Sequence, residues 1–164
     1  MNNTLTGRRY IVFSLVAVMF IQLLPIATLL SPWRPILPIM IVAFWAYIAP
    51  SHVGSVFGFI YGLMIEATLG MEILQLALPC ALVALVVQHV FMKLRTYSIF
   101  QQSFYIATLS LIAVSLALPL SSVVLNADLL ALLGRSFIAA VVVWLVLAIW
   151  FEPLSRRYVV AREH

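Results

Sequence analysis

The chain has 164 residues, of which 65% are hydrophobic and only 9% charged, and its mean hydropathy is +1.17. A soluble domain needs about a quarter of its residues charged to cover its surface, so this composition excludes an ordinary water-soluble fold and predicts one all-α integral membrane domain over residues 1–164. The formal net charge of +4 resides in small Lys/Arg clusters between apolar runs, not in the basic stripe that nucleic acid requires, so no nucleic-acid partner is expected.

Six apolar runs follow one another, each closed by prolines or charge: about 10–30, 35–49, 53–69, 73–92, 100–125 and 129–151, with a basic tail at 152–164. With about 1.5 Å of rise per residue and a hydrocarbon core about 30 Å thick, the first, fourth, fifth and sixth are comfortable spans. The second and third are short and meet at Pro50-Ser51-His52. Two spans in a thin hairpin are preferred to a re-entrant segment because the charge pattern then closes. The first run follows Arg8 and Arg9 as a signal peptide would, but it exceeds a typical signal core and lacks an A-x-A site, which predicts a retained first helix.

A cytoplasmic N-terminus puts Arg8, Arg9, Lys93, Arg95, Arg156, Arg157 and Arg162 inside and only Arg34 and Arg135 toward the outside. That asymmetry satisfies the positive-inside rule and makes both termini cytoplasmic. The basic residues then fix topology or meet anionic lipid. Trp33 and Trp150 fall near the interfaces, and Trp45 and Trp144 fall deeper. Pro25, Pro79 and Pro119 fall within spans, where each frees a backbone carbonyl and can kink its helix.

Enzymatic chemistry finds no foothold. There is no G-x-x-x-x-G-K-[ST] or G-x-G-x-x-G motif, and Cys80 is the single cysteine. His52, His89 and Glu66 fall at different depths, which argues against a metal site. Glu66 has no second acid at its depth other than Glu72 near the boundary, and no nucleophile with a base can be assembled. A non-enzymatic chain without metal or cofactor is expected.

The most informative stretch is GSVFGFIYGLMIEATLG, residues 54–70. On a helix, Gly54, Gly58, Gly62, Glu66 and Gly70 form one slowly winding stripe. In lipid, small residues let two backbones approach, so the four glycines mark a helix-packing face. Its partner is open to three readings: another helix of this chain, an identical chain in a homodimer, or the membrane helix of another protein. Glu66 then points into a helix interface. An acid near mid-bilayer costs about 2.5–3.5 kcal/mol, so it calls for a partner or a function. Glu66 lies about 6 Å below the outer end of the third span and Arg135 about 9 Å below that of the sixth, which predicts a buried Glu66–Arg135 pair, with Arg34 as alternative partner. Two other readings compete: a neutral Glu66 donating a hydrogen bond between helices, and an ion or proton site on a transport path. Gln22, Gln75, Gln88 and Asn126 are scattered and form no relay.

The order Trp33-Arg34-Pro35, an apolar span holding Trp45, Pro50 before a short polar turn, then Gly58-Phe59-x-x-Gly62-x-x-x-Glu66-x-x-x-Gly70 resembles the MreD family of rod-shape-determining membrane proteins. The motif covers about residues 33–78, and the remainder agrees in size and layout. In the family pattern the acid is commonly aspartate, and a further glycine commonly follows where this chain has Leu74. The resemblance implies a non-enzymatic scaffold subunit of the bacterial cell-elongation complex in the inner (cytoplasmic) membrane, without cofactor. Such a subunit helps maintain rod shape by organising peptidoglycan synthesis with an MreC-type bitopic protein. Its indirect partners are the MreB filament, a RodA-type synthase and the associated transpeptidase. The family's fold is similar to the S components of energy-coupling-factor transporters. That similarity supplies the alternative, a substrate-binding membrane subunit of a vitamin-type transporter.

Overall fold

The sequence ILPIMIVAFWAYI carries no charged side chain and is apolar around its whole circumference, and a helix of that kind is stable only when surrounded. In the computed structural model, which describes residues 2–23, 36–117 and 127–160, this segment is the second of six helices and the centre of the fold. The helices are α1 (Asn2–Leu23), α2 (Ile36–Ile48), α3 (Ser55–Leu69), α4 (Ala77–Leu94), α5 (Ile99–Ala117) and α6 (Ala127–Val160). Helix α2 packs against α1, α4, α5 and α6, while α3 packs mainly on α4, and α6 on α5. Every regular element among the described residues is helical.

The core is fastened by aromatic groups with polar tips. The Trp45 indole N–H donates to Ser14 Oγ at 2.8 Å, and the Tyr61 hydroxyl donates to the Leu15 carbonyl at 2.9 Å, so α2 and α3 both hold α1. Phe44 meets Trp45 and Trp144 edge-on, with ring centroids 5.6 and 6.2 Å apart. Trp45 and Trp144 are both buried. Such aromatic pairs add to the burial of their surfaces.

The outside is apolar as well. Phe13 on α1, Val56, Ile60 and Met64 on α3, Phe104 and Leu116 on α5, and Ile138 and Ile149 on α6 are all exposed. Helices α4 and α5 are long and apolar enough to cross a membrane, and Tyr10–Leu23, Ile36–Ile48, Ser55–Leu69 and Leu133–Ile149 are shorter apolar helical stretches.

Several boundaries differ from those expected. Helix α1 begins at Asn2, ahead of the apolar run. Helix α4 begins at Ala77, not near 73, because residues 71–76 form a turn in which Leu74 adopts φ 75°. Pro79 therefore falls in the first turn of α4, where its missing N–H breaks no helical bond, and it is not a mid-span kink. Helix α6 runs to Val160, so most of the expected tail is helical. Pro25, Trp33, Arg34, Pro119 and Asn126 lie outside the described residues.

Candidate functional site: the seam between α3 and α4

The seam is built from the glycines. A Cβ added at Gly58 would stand 2.7 Å from the Cys80 carbonyl oxygen. One at Gly62 would collide with the Ala77 Cα and stand 2.8 Å from the Ala77 backbone nitrogen. At both positions α3 therefore meets the α4 backbone itself. Gly54, the N-cap of α3, faces the Gln88 side chain, whose oxygen would lie 3.0 Å from an added Cβ. The partner of this face is a helix of the same chain.

Gly70 belongs to a different device. It is exposed, nothing lies within 4 Å of the place a Cβ would take, and its φ of 63° and ψ of 30° make it the left-handed C-cap of α3. Its place in the expected packing stripe is thus corrected: the helix ends at Leu69, and a glycine is needed there because a left-handed cap disfavours any Cβ.

Glu66 lies one turn above Gly62 and is only 2% exposed. Its backbone carbonyl accepts the N–H groups of Gly70 and Met71, closing the end of α3. Its carboxylate reaches across the turn and accepts the N–H of Leu74 at 3.1 Å, that of Ala77 at 2.8 Å, and that of Leu76. The first amides of a helix lack intrahelical acceptors, and the start of α4 has no cap from its own Leu76 side chain. Glu66 supplies that cap from the neighbouring helix. A negative charge at a helix N-terminus is favoured by the helix dipole, and hydrogen bonds to a charged acceptor contribute about 1.5–3 kcal/mol each. One residue thus ends α3, holds the turn and starts α4.

The expected Glu66–Arg135 pair does not form. Arg135 is exposed on α6, which packs on α5 and α2, and no ion pair joins it to Glu66 among the described residues. The carboxylate is satisfied by backbone amides that the sequence could not place. The expected alternative partner, Arg34, lies outside the described residues.

Two glutamines act similarly. Gln88 Nε2 donates to the Pro50 carbonyl at 3.0 Å, tying α4 to the turn between α2 and α3. Gln102 Nε2 donates to the carbonyls of Leu94, at 2.8 Å, and Tyr97, at 3.1 Å, closing the C-terminal end of α4. The sequence reading singles out no role for Gln102, whose only signal is a Gln-Gln pair near the start of an otherwise apolar helix. Gln75 donates to Glu72 at the exposed turn. His52 and His89 are exposed, and Cys80 is buried. Among the described residues, no three of the His, Cys, Asp and Glu side chains gather as a metal site would require.

No family model, curated protein or solved structure matches the chain.

Proposed function

We propose that the chain is a multi-pass inner-membrane protein with six spans and both termini cytoplasmic, and that it serves as a non-enzymatic MreD-type scaffold of the cell-elongation complex. The observation that carries this reading is the backbone at position 74. The family pattern commonly has glycine there, and this chain, with leucine, still adopts φ 75°, a conformation that glycine tolerates and leucine rarely does. The same turn donates the Leu74 N–H to Glu66, so the residues that carry the resemblance also form one physical unit. The apolar exterior and the use of buried polar groups to close turns further support a bundle that holds parts together.

Because Gly58 and Gly62 face α4, an MreC-type membrane helix would dock on a different face from the glycine stripe. Wall synthase recruitment would follow from that contact. The test is gentle-detergent purification of the tagged chain from native membrane, with mass spectrometry of the accompanying proteins and small molecules. Recovery of a bitopic periplasmic protein with wall synthases is the expected result. A stoichiometric vitamin-sized ligand with transporter ATPases would replace this reading with the uptake alternative.

A further inference from the structure

Helix α3 is short for a membrane span, and yet it lies at the surface of the bundle. Its 15 residues, Ser55–Leu69, rise about 22 Å, against about 30 Å for the hydrocarbon core of a bilayer. Helices α4 and α5, of 18 and 19 residues, rise about 27 Å and about 28 Å and come close to that thickness. Helix α2 is shorter still at 13 residues, but other helices enclose it. On α3, by contrast, Val56, Ile60 and Met64 form an outward face, all more than half exposed.

Both ends of that face are polar. Ser51 and His52, hydrogen-bonded to each other at 3.1 Å, are exposed at one end, and Glu72, which accepts from Gln75, is exposed at the other. The Glu66 carboxylate holds Leu74, Leu76 and Ala77, so the turn that carries the exposed Ile73 folds back beside the end of α3 and adds little height. A short helix can be accommodated by basic flanking side chains that reach the headgroups, by association with another helix, or by a thinner bilayer. The first is absent, since the sequence has no lysine or arginine between Pro50 and Ala77. The second relies on small residues or side-chain hydrogen bonds at the contact. Gly58 and Gly62 already meet α4, the exposed Ala67 has no second small residue four positions away, and Thr68 donates its hydroxyl to the Met64 carbonyl of its own helix at 2.6 Å. What α3 turns outward is bulky and apolar, which suits acyl chains.

We propose that the bilayer thins against α3 and that this face gathers phospholipids with short acyl chains, whereas the face of α5 does not. The inference rests on the membrane reading and is independent of the scaffold role. Mismatch of this kind sorts membrane proteins among bilayers of different thickness.

The test uses the full chain in vesicles of equimolar dimyristoleoyl- and dierucoyl-phosphatidylcholine, with the double bonds of one lipid or the other brominated so that it quenches nearby tryptophan. Ile60→Trp reports on α3 and Phe104→Trp on α5. Each replaces an exposed sixth residue of its helix, and the wild-type chain supplies the background of the native tryptophans. Quenching at Ile60→Trp should favour the short lipid about threefold more than quenching at Phe104→Trp. His52→Leu with Glu72→Leu, which lengthens the apolar face of α3, should lower that preference. Equal preferences at the two reporters would overturn the proposal, as would an unchanged preference in the leucine variant. Little quenching of Ile60→Trp by either lipid would also overturn it, because a protein would then cover the face. Alkaline carbonate extraction of the vesicles is scored first: release of the chain overturns the membrane reading itself, whereas retention with equal preferences overturns the thinning alone.

Discussion

Gly62 on α3 and Gly134 on α6 are both glycines inside apolar helices, yet they serve different ends. At Gly62 the neighbouring helix presents its backbone where a side chain would begin, whereas around Gly134 there is open space. The contrast extends to the helices around them. Helix α5 buries Ala107, Ser110 and Ala113 with their Cβ atoms in place, and the Ser110 hydroxyl donates to its own helix at Ile106. The α3–α4 seam admits no Cβ at Gly58 or Gly62 and sends the Glu66 carboxylate into the adjoining turn. Glycine in a membrane helix is therefore a packing signal only where backbone meets backbone.

Substitutions separate the two kinds of site, and the acid should be the most sensitive. Glu66→Ala would strand the buried amides of Leu76 and Ala77, at about 1–3 kcal/mol each, and release Leu74. At about 2–4 °C per kcal/mol, the melting temperature in detergent should fall by about 10 °C. Next comes Gly62→Ala, where the obstacle is the Ala77 backbone and cannot rotate away, so a loss of about 3 kcal/mol is expected. Gly58→Ala, against the Cys80 carbonyl, should follow the same course with a smaller loss. Fluorescence-detected thermal melts would rank the three.

The turn provides a pair of opposite sign. Gly70→Ala forces a Cβ into a left-handed residue with room around it, and should cost about 1 kcal/mol. Leu74→Gly relieves the same kind of strain at φ 75° and should stabilise by about 1 kcal/mol. A destabilised Leu74→Gly variant would mean that the leucine side chain contributes more packing than its backbone strain costs. The smallest effect is expected at Gly134, where alanine meets no neighbour and should gain up to about 1 kcal/mol of helix propensity.

Six helices were legible in the sequence because apolar runs and their breakers repeat clearly, and the Gly58–Gly62–Glu66 register was legible because residues four apart share a face. The partner of Glu66 was not. Depth matching suggested Arg135, since charges are visible in a sequence, whereas the amides that bind the acid belong to Leu74, Leu76 and Ala77, whose names say nothing of a free N–H. The same limit hid the left-handed turn at Leu74 and moved the start of α4 by a turn. Gly70 was misplaced for a related reason: a four-residue spacing continues on paper after the helix has ended.

Glu66 is held by the start of α4 and not by an arginine. Paired melts of Glu66→Gln and Arg135→Gln, each removing one charge with little change in shape, separate the two partners. A drop of several degrees is expected for Glu66→Gln and a shift within about 1 °C for the exposed Arg135→Gln. Equal losses in the two variants, with no further loss when they are combined, would contradict it and restore the ion pair.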